Sequence, residues 1–406
     1  MRLRARSKWQ TLEAATTTEQ VIRIGTLAPL SSPGAVVAGT AMVDAFCIAE
    51  EQLNASGGLL GSPVEIIIED SQGLPEQAIA AMEKLITQDG VVAVGGAQHS
   101  SVALAAMEIA HERGIPIVYG GPWSDAITAS MYPEVFRIAP LNSEIAKLRV
   151  DFFASLAGQV NKVAVITENT DFGIPAATYI SDGLIATGIE AMTFSVDIGV
   201  QDFSSILERV GAEEPDVIII LNSGESGFNF AQQAANAQIG PQNVLTSCGL
   251  SAQESNSFWT TVPDGTYCIF ERVGPSPQIC TEATQKFATL YQERTGKAAV
   301  ETFALQAYDS VMIIAQAIAE AESTDASAII TTLENIAFAG TLGTITFPVN
   351  SQNPPEAAGL DPKWWHQHPE PIFTFLQYQE TGQVTDDAPI VYLPQHATGE
   401  LIVPNE

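Results

Sequence analysis

Basic residues are scarce in this chain. Lys and Arg total 17 against 47 Asp and Glu, a formal net charge of −30. A surface of that sign repels phosphate backbones and anionic headgroups, which excludes nucleic acid as a partner and argues against anchoring by charge to a membrane. The acids are spread without a long single-sign run, so they read as a solubility or salt-adapted surface. Long hydrophobic runs are also missing: no stretch of 18 apolar residues meets the length a membrane-spanning helix needs, so no stable membrane insertion is expected. Nucleotide and metal signatures are absent as well. There is no GxGxxG, no P-loop and no HExxH. "GESG" at Gly224–Gly227 resembles a nucleophile elbow, but Phe228 stands where the closing glycine belongs. His366 and His368 in "WWHQHPEP" lack further ligands nearby and read as a surface loop, and His99 and His111 show no triad spacing. These absences argue against an enzyme and predict neither cofactor nor metal. Cysteines number four. Cys268 and Cys280 flank the turn-rich "ERVGPSPQ" and are placed to pair in an oxidising compartment, whereas Cys47 reads as a small core residue of a helix.

What is present is a globular α/β pattern. Hydrophobic residues make up 46% and charged ones 16%, outside the disordered range, and 406 residues imply about two domains. Arg2, Arg4, Arg6 and Lys8 begin like an export signal without its apolar run, so residues 1–20 read as a leader remnant or tag. From Val21 short β-rich runs alternate with amphipathic ones: "VIRIGTLA", Thr40–Asn54, "VEIIIED", Glu76–Thr87, "VVAVGG" and Ser101–Arg113. That order implies βαβ crossovers and a parallel sheet. In "IPIVYGGPWSDAIT" a buried strand ends abruptly at Gly120, Gly121 and Pro122, and Trp123 sits where the chain turns. This is the end of the sheet at which open α/β folds bind ligands. A second α/β unit begins near residue 141. Helices replace strands after residue 270, and the helix from Thr302 carries Ala304, Ala307, Val311, Ile314 and Ile318 on one face. "FAGTLGTITF" reads as a strand pair, and "IFTFLQY" and "IVYLP" as strands of a folded C-terminal segment.

Residues 22–86 carry more than a general α/β signal. Pro29–Ser31, then Asn54, Gly57, Gly58 and Gly61, then Asp70, followed by "FRIAP", "AVITENTDFGIPAATYISDGL", "PDVIIILNS" and "AYDSVMIIAQAIAEA", resemble the type I periplasmic solute-binding proteins of ABC transporters, the branched-chain amino acid group. The resemblance implies two doubly wound α/β lobes joined by three hinge crossings, near residues 140, 270 and 344, closing on a ligand. One lobe is then 21–140 plus 271–344 and the other 141–270 plus 345–406.

The same resemblance implies site residues. Ser100, with Ser101 adjacent, aligns with the hydroxyl that holds a ligand carboxylate at a helix N-terminus, a place of positive potential and unpaired donors. Plain helix capping is the structural alternative. Trp123 or Ser124 occupies the position of a threonine in the second ligand loop; His99 and Gly121 are neighbours of these contacts. In the second lobe Phe172 matches the family aromatic, and Asn222, Ser223 and Glu225 sit in the loop after "DVIIIL". The acid that pairs an α-ammonium should lie near Gly249, and none is there. Glu225 is the available substitute; otherwise the ligand is a carboxylate, an amide or another small polar compound. Small residues at Ala35–Ala38 leave room for a bulkier ligand.

The function implied is an extracytoplasmic solute-binding protein, periplasmic or extracellular, that hands a small solute to ABC permease subunits. A hydrophobic amino acid leads the ligand candidates. The rival readings are a ligand-sensing regulator of the same fold and, less well supported, an enzyme on an α/β scaffold.

Overall fold

The computed structural model describes residues 21–404 except 157, 277–278, 298–299 and 370; the Arg-rich start, residues 1–20, lies outside the described residues. The first lobe runs β1 (Ile22–Ala28), α1 (Val36–Ala55), β2 (Val64–Asp70), α2 (Pro75–Lys84), β3 (Ala93–Gly96), α3 (Ser100–Arg113), β4 (Ile117–Tyr119), α4 (Ala126–Ala129) and β5 (Val135–Arg137). Its strands form a parallel sheet in the order β2-β1-β3-β4-β5. Central strands are buried on both faces and so read as unbroken apolar runs, while β2, at the edge, alternates buried and half-buried residues.

The second lobe runs α5 (Asn142–Ser155), β6 (Lys162–Glu168), α6 (Gly173–Ala186), β7 (Glu190–Val196), α7 (Ser204–Ala212), β8 (Val217–Leu221), α8 (Glu225–Asn236), β9 (Leu245–Gly249), α9 (Ser255–Thr261) and β10 (Ile269–Val273). The chain then returns to the first lobe as α10 (Glu282–Thr295), α11 (Thr302–Ala321) and α12 (Ala326–Asn335), followed by the hairpin β11 (Phe338–Gly340) and β12 (Gly343–Ile345) and by α13 (Pro355–Ala358). Finally β13 (Phe373–Gln377) and β14 (Ile390–Tyr392) join the second sheet antiparallel, giving the order β14-β13-β10-β9-β8-β6-β7. By length and composition α11 is apolar enough to cross a membrane, but 83% of its most apolar window is buried against the first lobe, the environment of a core helix.

Three expectations are corrected. The third crossing is not near residue 344. Backbone N–H groups of Thr341 and Leu342 donate to the buried Asp309 carboxylate of α11 at 2.9 Å each, which fixes the β11–β12 hairpin to the first lobe. Beyond it, Gln367 bridges to Arg137 of β5 and covers that sheet's edge, while Arg137 Nε donates to Gln367 Oε1 at 2.6 Å. Residues 345–368 therefore stay with the first lobe, and the chain is back in the second lobe by β13 (Phe373–Gln377). For the same reason His366 and His368 are no surface loop: they are 0% and 4% exposed, and His366 Nε2 meets Glu334 Oε1 at 3.0 Å. Third, Cys268 does not pair with Cys280. Pairing of β9 with β10 brings Cys248 within 5.9 Å of Cys268, Cα to Cα, and these two form the disulfide, while Cys280 is exposed beyond the strand end. Cys47 is buried on α1, as the sequence suggests.

Helix α1 begins at Val36, four residues before the expected Thr40, without a side-chain cap of its own. Its first turn is capped instead from the other lobe, as described below.

Removing the Cys248–Cys268 bridge with Cys268→Ala is expected to cost about 3 kcal/mol in urea unfolding, the value for a loop of this size, whereas Cys280→Ser leaves the midpoint unchanged. The Glu334–His366 contact predicts a pH effect. Burial opposes ionisation of Glu334, but hydrogen bonds from His366 and Ser351 outweigh it and hold the carboxyl down at about 2. Its contribution is present above the ordinary carboxylate range near 4.5 and fades as pH falls toward 2. Burial also lowers His366, which adds acid sensitivity below its ordinary 6.5. Glu334→Gln should therefore melt below wild type at pH 7, with the gap narrowing under pH 4.5; a gap independent of pH contradicts this assignment.

Candidate functional site

The C-terminal ends of the parallel strands in both sheets face one cleft, which encloses about 840 Å³ with its mouth included. Loops after β1, β2, β3 and β4 supply one wall and those after β6, β8 and β9 the other, so every βα unit near the middle of each sheet points a turn at the same space.

Ser100, the first residue of α3, organises the first wall. Its Oγ accepts the backbone N–H groups of Trp123 and Ser124 at 3.2 and 3.1 Å, which joins the loop after β4 to the start of α3. With its lone pairs engaged, the hydroxyl has its proton left to donate, at a helix N-terminus without a side-chain cap. Ser124 does not line the cleft. Its carbonyl accepts Arg137 Nη1 at 2.5 Å, so of the two candidates for the threonine position it is Trp123 that faces the ligand space. Gly121 and His99 line the cleft too. His99 is 8% exposed, both its ring nitrogens are without a partner, and burial pushes its pKa down to about 4, so it is neutral at pH 7.

Trp123 is the wedge between the lobes. It belongs by chain to the first lobe but packs into the core of the second, edge-on to Phe172 at 5.9 Å and to Phe373 at 6.1 Å between ring centres. Its indole Nε1 is buried without a partner. Above its ring, 5.8 Å from the centre, lies the guanidinium of Arg149. Arg149, on α5, pairs through Nε and Nη2 with both oxygens of Glu271 of β10 at 2.5 Å each, and the two side chains are 1% and 0% exposed. Nη1 of Arg149 is the remaining donor, buried and without a partner.

The lobes are closed. Glu225 Oε1 accepts the Val37 N–H in the first turn of α1 at 3.3 Å, and Ser101 Oγ accepts the Asp171 N–H at 3.2 Å. Gly224 sits at φ +58, and a Cβ there would lie 2.7 Å from Ala35 Cα, so the small residues at the start of α1 serve close approach of the lobes. Glu225 is thus a cap on the opposite lobe and does not line the cleft, a correction to its role as an ammonium partner. Ser223 lines the cleft, but its hydroxyl donates to Glu168 Oε2 at 2.5 Å. Asn222 lines it as well. Gly249 does too, at φ +67, where a Cβ would stand 2.7 Å from the Ile220 carbonyl; no acid fits at that position.

The sequence reading missed Arg149, Glu271, Glu301 and Phe303, all of which line the cleft. A signal for the first two existed: Glu271 and Arg272 put two opposite charges inside the otherwise apolar "CIFERV", and Arg149 is one of only 17 basic residues in the chain. Glu301 is 6% exposed with Oε2 unpartnered. Burial pushes it up to about 8, against the lowering effect of Lys297 and with a further rise from Glu254. Among the described residues no group of three His, Cys, Asp or Glu side chains converges as a metal site.

Comparisons with known proteins agree with this architecture. The chain is 27% identical over 320 residues to the Leu/Ile/Val-binding protein BraC3 of Rhizobium johnstonii, covering 77% of this chain and 83% of that one. Among solved structures, the substrate-binding protein LivJ of Streptococcus pneumoniae in complex with isoleucine superposes with TM-score 0.75 at 20% identity, over 91% of this chain and 98% of that one. A solute-binding protein of an R. palustris ABC transporter in complex with benzoate superposes with TM-score 0.76 at 19% identity, over 95% and 100%. The periplasmic binding protein family profile matches residues 21–357, and the chain, with its two lobes closed on one cleft, belongs to that family.

Proposed function

We propose that this protein is the extracytoplasmic solute-binding component of an ABC importer, and that its cleft takes a small organic carboxylate with an apolar or aromatic body. The observation that carries the ligand class is the balance of donors and acids in the cleft. Donors without partners are Trp123 Nε1, Arg149 Nη1 and the single N–H of neutral His99, joined by the Ser100 hydroxyl and the first amides of α3. Among the described residues the acids near the cleft are poorly placed for an ammonium: both oxygens of Glu271 are taken by Arg149, Glu225 caps α1, and burial pushes Glu301 up to about 8. An ammonium enclosed without a counter-charge is costly, whereas a carboxylate meets charge-assisted hydrogen bonds. Phe172, Phe228, Phe303 and Trp123 offer the apolar walls for the rest of the ligand.

The mechanism is a shift in the population of open and closed forms. A carboxylate held on Ser100 of one lobe and beside Arg149 of the other gains its full set of contacts only when the lobes meet, so it favours the closed form by that difference. The permease then reads the closed surface. The second reading, a hydrophobic amino acid, is favoured by the names of the relatives and by the isoleucine complex.

Thermal-shift titration of the protein stripped of carried-over ligand separates the two. Benzoate and 4-methylpentanoate are expected to raise the melting temperature, and leucine, which differs from the latter by its ammonium, is not. Ser100→Ala should weaken carboxylate binding about 10- to 100-fold, the range for a hydrogen bond to a charged group. Stabilisation by leucine and not by 4-methylpentanoate overturns the carboxylate reading.

A further inference from the structure

A smaller pocket shares one lining residue with the cleft. Glu301, just before α11, lines both cavities, and the second is completed by Gln253, Glu254, Tyr291 and Lys297. Three of these side chains are buried and carry a polar atom without a partner. They are Gln253 at 2% exposure through Nε2, Tyr291 at 0% through its hydroxyl, and Glu301 at 6% through Oε2. The far end of the Gln253 amide is fixed by the Thr302 hydroxyl, and Glu254 is committed to the N–H of Ser257 at 2.6 Å as the cap of α9. Lys297, at the rim, has its charge matched by Glu254 at 3.8 Å.

Three orphaned groups on residues that line one small pocket are not a stable arrangement for a dry interior, because each forgoes its hydrogen bonds with water. Their chemistry is specific. The Tyr291 hydroxyl and the neutral Glu301 carboxyl each donate and accept, and Gln253 adds an amide. With Lys297 neutralised, no net positive charge remains for a second carboxylate. A neutral group that both donates and accepts fits, and Phe303, two residues from Glu301, lines the cleft.

We infer that this smaller pocket is a polar subsite that takes a hydroxyl substituent of the ligand, so that the preferred solute is a hydroxylated aromatic or apolar carboxylate. The inference rests on the carboxylate reading above and narrows it. One end of the solute is held at Ser100, its body lies on the aromatic walls, and its hydroxyl reaches Glu301 and Tyr291 at the hinge side.

Calorimetric titration with benzoate and the three monohydroxybenzoates tests it. At least one hydroxylated acid is expected to bind wild type about 10-fold more tightly than benzoate, the scale of one well-made buried hydrogen bond. In Tyr291→Phe that gain should shrink to about 2-fold or less while benzoate affinity and the ligand-free melting temperature stay as in wild type, because the hydroxyl removed has no partner in the protein. Benzoate binding with no gain from any hydroxyl position, or a gain that survives Tyr291→Phe, overturns the subsite and leaves the carboxylate reading standing. No binding of any of the four acids to wild type overturns both.

Discussion

The buried ion pair between Arg149 and Glu271 is the interaction on which the cleft depends. It ties α5, the first element after the hinge, to β10, the last parallel strand before the chain crosses back, and so fixes both ends of the second lobe at the cleft floor. Burial of the two charges is tolerable because both oxygens of Glu271 and two of the guanidinium nitrogens are satisfied in one planar contact. The pair also sets the charge balance of the cleft floor. It removes the nearest acid from use by a cationic ligand and leaves one guanidinium nitrogen on offer.

Trp123 couples that floor to the other lobe. Its backbone is held by Ser100, its ring packs into the second-lobe core, and Arg149 lies over its face. The same few residues therefore line the cleft and join the two lobes. The Glu225 cap on α1 and the Ser101 contact with Asp171 add polar bridges between the lobes at the rim. A helix whose first turn is capped from the opposite lobe completes its hydrogen bonding only in the closed form.

The sequence made the lobes legible because doubly wound α/β units repeat an obvious period, and inner strands such as β4, "IVY", and β8, "VIIIL", are short unbroken apolar runs. It also pointed to the Trp123 loop, since a strand that stops at two glycines and a proline marks the ligand end of a parallel sheet, while Ser100 came from the family resemblance. Other features were hidden because they are made by contacts distant in the chain. The start of α1 is capped from residue 225, the segment 345–368 is held by Glu334 and Arg137, and Cys248 meets Cys268 only through the pairing of β9 with β10. Proximity in sequence favoured Cys280, and strand register prevailed. Glu225 carried the chemistry asked of an ammonium partner, yet the helix N-terminus opposite claimed it.

The account stands or falls on where a ligand's carboxylate sits. A high-resolution crystal structure of the protein with its tightest-binding acid measures this directly. The account predicts one carboxylate oxygen within about 3.2 Å of Ser100 Oγ, the other near Arg149 Nη1, and the Arg149–Glu271 contact intact. A carboxylate bound away from both groups, or a cationic group of a co-purified solute seated on Glu271 or Glu301, would contradict it.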